Sequence, residues 1–357
     1  KDANGEYRGG PAYYINMGLN QPWLAVLFSV CLFVGYGFVF SSVQANTMAD
    51  ALNNVYHIDP FVSGSIIVLI ALPIVMGGVR SIAKVSGILV PLMGLVYLLI
   101  ALVICGINFD KIPAIFALIF NSAFGLQEAG SGAIGAAIIN GIKRGLYSNE
   151  AGSGSVPHAA ACATPNPNHP AVQGYVQMLG VFIDTIVICT ATASLILLSQ
   201  QLVPESGVMG IELTQAALQE HVGDWGTYFI AIAILFFAFT SIVANYSYAE
   251  TNLMFLEHNS NKGMFIFRLV VLGMVMFGSL AKISLVWDLA DVSMGLMAIV
   301  NLVALVLLSG LAIRVINDYR EQVDAGIDPK FDTSKFPELA DQLEEKIWPN
   351  STEPVNK

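Results

Sequence analysis

The chain has 357 residues, 55% of them hydrophobic and only 12% charged, where ordinary soluble domains carry about a quarter charged. Its mean hydropathy of +0.66 leaves no room for a large soluble domain beside the apolar segments. The net charge of −10 offers no basic face to neutralise phosphates and does not suggest nucleic-acid binding.

From the start, Lys1 to Gly10 shows no initiator Met, no signal peptide and no opening apolar span. It reads as a loop from inside a protein, so the expectation is a fragment lacking N-terminal helices. Eight apolar segments then follow, near 23–51, 61–78, 85–106, 112–142, 171–200, 225–255, 264–281 and 287–313. Polar turns separate them, the longest from Arg144 to Pro170. Residues Gly210 to His221 are expected to form a short amphipathic helix at the surface, and the chain turns polar after Arg314. The domain reading is a cytoplasmic loop segment over 1–22, a membrane core over 23–316 and a polar cytoplasmic tail over 317–357. Cys31, Cys105, Cys162 and Cys189 are scattered without metal or disulfide spacing and read as packing residues.

The segment 112–142 breaks in its own middle. Ile112–Phe124 and Ala133–Ile142 are apolar half-helices, each short of the roughly 20 residues that cross a bilayer. Between them lies Gly125-Leu-Gln-Glu-Ala-Gly-Ser-Gly132. Glycine weakens a helix, and the backbone groups so freed cannot face lipid. They must be buried in protein or line a wet cavity, which is how a transporter builds a binding site. A re-entrant hairpin is the plainer alternative.

Basic residues fall on alternate loops. With the N-terminal end inside, Lys1, Arg8, Arg80, Lys84, Lys143, Arg144, Lys262, Arg268 and the six of the tail lie on one side. Only Lys111 and Lys282 lie on the other, as the positive-inside rule requires.

One repeat is visible. Phe38-Val-Phe-Ser-Ser-Val-Gln-Ala-Asn46 matches Phe237-Ala-Phe-Thr-Ser-Ile-Val-Ala-Asn245, on helices expected to run in opposite directions, as inverted halves would. Ser41, Ser42, Gln44, Asn46 and Thr47 crowd the first; Thr240, Ser241, Asn245, Tyr246, Ser247 and Glu250 crowd the second. Such hard, neutral oxygens suit a small cation, or else simply bond helices together. Glu128, Asp184 and Glu250 are acids within or near the membrane, where charge marks a pathway or a pair. Asp184 reads as a buried structural acceptor. Asp288 and Asp291 suit an outer vestibule or a helix N-terminal turn. Ser153 or Ser155 with His158 would raise a hydrolase, but the Gly-x-Ser-x-Gly elbow is absent.

The block Arg144-Gly-Leu-Tyr-Ser-Asn-Glu-Ala-Gly-Ser-Gly-Ser-Val-Pro-His-Ala-Ala-Ala161 resembles the alanine or glycine:cation symporters, the sodium:alanine symporter family. So do Gly5–Ile15, Val43–Asp50, Gln173–Thr192 and Leu285–Asp291. The resemblance implies an all-α polytopic membrane protein with a leucine-transporter-like inverted repeat of five plus five helices. The eight spans would be the third to tenth core helices, in a prokaryotic plasma membrane with both ends cytoplasmic. It further implies that the protein is no enzyme and needs no cofactor, and that sodium drives uptake of a small neutral amino acid such as alanine or glycine. For the substrate it points to Gln44, Gln127, Glu128, Gly130, Gly132, Gly135 and Asn245, and for sodium to Thr240 and Ser241. A membrane channel or a non-transporting helical scaffold is the rival from another class.

Overall fold

The computed structural model describes residues 7–77, 80–124, 131–203, 207–256, 261–340 and 343. Among them every regular element is helical. In chain order these are α1 (Pro11–Gly18), α2 (Pro22–Val34), a π-turn (Gly35–Val39), α3 (Phe40–Tyr56), α4 (Pro60–Gly77), α5 (Arg80–Ile107), α6 (Ile112–Ala123) and α7 (Ser131–Asn149). Then come α8 (Val156–Cys162), α9 (Pro170–Phe182), a second π-turn (Ile183–Ile188), α10 (Cys189–Leu198), α11 (Ile211–Val222), α12 (Asp224–Phe255), α13 (Asn261–Leu280) and α14 (Ile283–Asp324). A 3-10 turn (Thr333–Lys335) and α15 (Pro337–Ala340) end the described tail.

Among the described residues six runs are long and apolar enough to cross a bilayer: Pro22–Tyr56, Val90–Ile107, Pro170–Leu198, Asp224–Phe255, Asn261–Leu280 and Ile283–Asp324. Pro60–Met76 and Ile112–Ala123 are shorter apolar helices. All eight expected segments are therefore helical, and the chain is a multi-pass membrane protein. In the fourth, α6 closes at Ala123, its last turn capped by the Phe124 N–H on the Phe120 carbonyl, and α7 begins the next described stretch at Ser131; most of the expected break, 125–130, lies outside the described residues.

Four details differ. The second half-helix does not stop at Ile142 but runs to Asn149, so Lys143 and Arg144 belong to a helix and not to a loop. The N-terminal segment holds α1, eight residues long. The last span continues ten residues past Arg314, to Asp324, because Ile313, Val315, Ile316 and Tyr319 keep the helix amphipathic after the lipid-compatible run ends. The helix expected at 210–221 exists as α11, yet Gln215, Ala217 and Leu218 are buried, so it is packed along one face and does not merely lie on the surface.

The chain divides into two compact units. The first comprises residues up to Cys31, Asn149–Phe182 and the chain from Leu296. Asn301 of α14 is its polar centre, donating from Nδ2 to the carbonyls of Ala151 (3.3 Å) and Gly152 (3.0 Å) and accepting from the Tyr14 hydroxyl. Gly154 takes φ +96°, and a side chain there would strike the rings of Phe28 and Pro11. The tail folds back: the Phe331 N–H donates to Asn168, and Asp318 meets His169 and Lys335.

The second unit comprises Leu32–Ser148 and Ile183–Gly295. There α3 is the central helix, packed against α4, α11, α12 and α13. Ala45, Met48, Ile67, Ala238, Ile242 and Val275 form one apolar cluster; α5, α6, α10, α11 and α12 share another around Tyr97, Ile104, Leu195 and Leu218.

Candidate functional site

The two copies of the repeat pack against each other. Tyr36, just before α3, lies 5.6 Å from Tyr248, while Tyr56 at the far end of α3 lies 5.7 Å from Tyr228. Ala45, midway, shares a cluster with Ala238 and Ile242. Numbers rising along α3 thus meet numbers falling along α12: the helices are antiparallel, and the two copies of the motif face each other near their centres. Opposite direction is what the sequence led one to expect.

On α3 the polar side chains act as interhelical bonds. Ser42 Oγ is within 2.8 Å of the carbonyls of both Phe38 and Met274, and Asn46 Nδ2 donates to Gly278 (3.0 Å) and Ala281 (2.9 Å). Ser41 donates to Tyr36, five residues back, because the π-turn lengthens the ladder there. Ser42 and Asn46 hold α3 to α13.

On α12 the arrangement differs. Thr240 and Ser241 line a cavity of about 770 Å³ together with Tyr97, Asp184, Thr192 and Thr214. Each hydroxyl donates to the Phe237 carbonyl, at 2.9 Å and 3.0 Å. Donation to the helix's own backbone leaves the oxygen lone pairs available to a cation or a substrate N–H. Tyr97 Oη and Thr192 Oγ1 are 2.7 Å apart on the same wall.

The model of the sodium:alanine symporter family matches residues 1–333. The chain belongs to the sodium:alanine symporter family. It is 44% identical over 352 residues to the uncharacterized transporter YaaJ of Escherichia coli, covering 98% of this chain and 74% of that protein. Against the probable sodium/glutamine symporter GlnT of Bacillus subtilis it is 46% identical over 331 residues, 93% of this chain and 68% of the relative. Against the amino-acid carrier protein AlsT of the same organism it is 43% identical over 334 residues, 94% and 70%.

Within this symporter family member the remaining expected site residues are spread out. Gln127, Glu128 and Gly130 lie outside the described residues. Gly132 falls in the first turn of α7. Gly135 is half-buried, with open space where a side chain would stand. Gln44 and Asn245 do not border the cavity of Thr240 and Ser241. Asn245 is 5% exposed and its Nδ2 has no hydrogen-bond partner among the described residues.

Other polar residues resolve into pairs. Glu250 accepts from the Tyr246 hydroxyl (2.8 Å), which accepts from Arg268 Nε (3.0 Å), a structural network. Asp291 lies in the third turn of α14, not its first, and takes both Lys143 (3.1 Å) and Arg144 (2.9 Å). The Arg144 guanidinium also stacks 4.6 Å over Trp287. Basic residues assigned to the inner side and an acid assigned to the outer side therefore touch, so that part of the charge map fails. The hydrolase alternative has no support in the loop: Ser153 and Ser155 bond Glu150, and His158 Nδ1 lies 3.0 Å from the Gly154 carbonyl. Asp184 is an acceptor, from Ser148 Oγ at 3.2 Å, but is half-buried at the cavity wall and not fully buried, in a π-turn no periodicity signalled.

Proposed function

We propose that the chain is a secondary transporter that uses a sodium gradient to import small neutral amino acids, such as alanine or glycine, by alternating access. The observation that carries this is the cavity bordered by Thr240 and Ser241, two hydroxyl oxygens with free lone pairs on a membrane helix. Hard neutral oxygens suit sodium and need no buried countercharge. The end of α6 at Ala123, short of a bilayer's width, supports a substrate site in the glycine-rich stretch that follows it in sequence, with Gln44, Gln127, Glu128, Gly130, Gly132, Gly135 and Asn245 as its candidate residues. The antiparallel repeat of α3 and α12 supports a leucine-transporter-like inverted repeat in which the spans are the third to tenth core helices.

In this proposal residues 23–316 are the transporter core and both ends face the cytoplasm of a prokaryote, which the basic loops outside α7 still favour. A membrane potential contributes about 2.3 kcal/mol per charge per 100 mV, enough to concentrate a neutral solute many-fold when coupled. Coupling requires sodium to favour the substrate-ready state.

Uptake of radiolabelled alanine and glycine into proteoliposomes, under imposed sodium and proton gradients, tests the proposal. Saturable uptake that follows the sodium gradient and shows counterflow supports it; a channel shows no counterflow and a scaffold no flux. Thr240→Ala and Ser241→Ala should weaken sodium activation more than they lower the amount of folded protein. Unchanged sodium activation in both variants removes their assignment.

A further inference from the structure

Asp184 is the fifteenth residue of the 29-residue apolar run Pro170–Leu198. At about 1.5 Å per helical residue it sits close to the middle of the span. It occupies the π-turn Ile183–Ile188, and such single wide turns, which re-aim side chains, recur at functional sites. Opposite it stands Ser148, in the last turn of α7. Ser148 Oγ donates to Asp184 Oδ2 at 3.2 Å and lies 2.8 Å from Thr185 Oγ1. A carboxylate and two hydroxyls thus converge from two helices, half-buried, and Asp184 itself borders the cavity of Thr240 and Ser241.

No Lys, Arg or His pairs with Asp184 among the described residues. Lys143 and Arg144, one turn earlier on α7, both reach Asp291 instead. A carboxylate without a counter-ion at mid-membrane costs several kcal/mol, and a single serine bond offsets little of that. One carboxylate with two neutral oxygens is the donor set of a hard monovalent cation. It is too weakly charged for calcium, and it lacks the sulfur or imidazole that softer metals select. Cys189 Sγ is 3.4 Å from Ser148 Oγ and serves as a weak partner of that hydroxyl.

We infer that Asp184, Ser148 and Thr185 form a cation site of their own, holding a sodium ion by a carboxylate and two hydroxyl oxygens, separate from the neutral oxygens of Thr240 and Ser241. The inference rests on the reading of the chain as a sodium-coupled symporter. Two ions per amino acid would follow, one held by neutral ligands and one whose charge Asp184 balances.

The test is alanine uptake in proteoliposomes as a function of sodium, for the unaltered protein, Asp184→Asn and Ser148→Ala, with sodium-22 uptake counted against alanine uptake. Asp184→Asn should lower the sodium:alanine ratio by one and remove the sigmoid rise of the activation curve. Ser148→Ala should raise half-saturating sodium by about tenfold while keeping the ratio, so the site is assessed even if Asp184→Asn yields little folded protein. Unchanged ratio and unchanged sodium activation in Asp184→Asn overturn the inference. So does a variant that loses only its response to a proton gradient, since Asp184 would then carry a proton. Absence of sodium-driven uptake by the unaltered protein would instead overturn the symporter reading itself.

Discussion

Asn46 and Asn245 hold equivalent places in the internal repeat yet have opposite surroundings. Both are buried, but Asn46 Nδ2 bonds the Gly278 and Ala281 carbonyls while Asn245 Nδ2 meets no acceptor among the described residues. The same amide is therefore a fastener on α3 and an unsatisfied donor on α12.

Replacing each by leucine, nearly the same shape, should separate the two roles. Asn46→Leu should cost about 1–2 kcal/mol, since polar contacts in membrane bundles average below 1 kcal/mol apiece and two are lost. Asn245→Leu should leave thermal stability in detergent unchanged or slightly raised, because a buried orphan donor is itself unfavourable by about 1–3 kcal/mol. Its KM for alanine should rise if the amide serves the substrate. Equal losses of melting temperature in the two variants would contradict the contrast.

Gly278 on α13 is pressed against α3 so closely that a methyl group there would meet the backbone of Ser42. Backbone cannot swing aside as a side-chain tip can. Gly278→Ala should therefore lower stability by about 1–3 kcal/mol. Gly273→Ala, five residues earlier with open space around it, should be neutral in the same melting assay.

Burial holds the His158 imidazole down from its usual 6.5 to about 4, with the Gly154 and Ser155 backbone groups opposing the shift. Between those values the unfolded chain binds a proton that the folded chain refuses. Its contribution is complete above about pH 6.5 and is lost as the pH falls toward 4, up to about 3 kcal/mol. Burial shifts His169 in the same direction, against the pull of Asp318. Melting temperature should drop between pH 7 and pH 4.5, and His158→Gln should flatten that slope whatever its effect at neutral pH.

Asp318 anchors the returning tail, accepting from Lys335 and Gln322 and facing His169. Asp318→Asn should release residues 325–336, so that trypsin cuts at Lys330 and Lys335 several-fold faster. Cleavage at Lys262, in the second unit, should be unaffected and serves as the internal control.

Spans, the early end of α6 and the antiparallel repeat were legible in the chain because lipid leaves few options: apolar runs of given length must be helices. Family membership was legible for the same kind of local reason, carried by the Arg144–Ala161 block. Where each polar side chain points was not. Asn46 and Asn245 share one local sequence and part company only through what α13 brings to one of them. Asp184 borders the cavity from a π-turn that no period announces, and its partner Ser148 arrives on a helix extending past its apolar stretch. Lys143 and Arg144 find Asp291, about 150 residues away, by packing alone. Local sequence determined which segments are helices; only the contacts between helices decided which of their polar atoms are left free to bind.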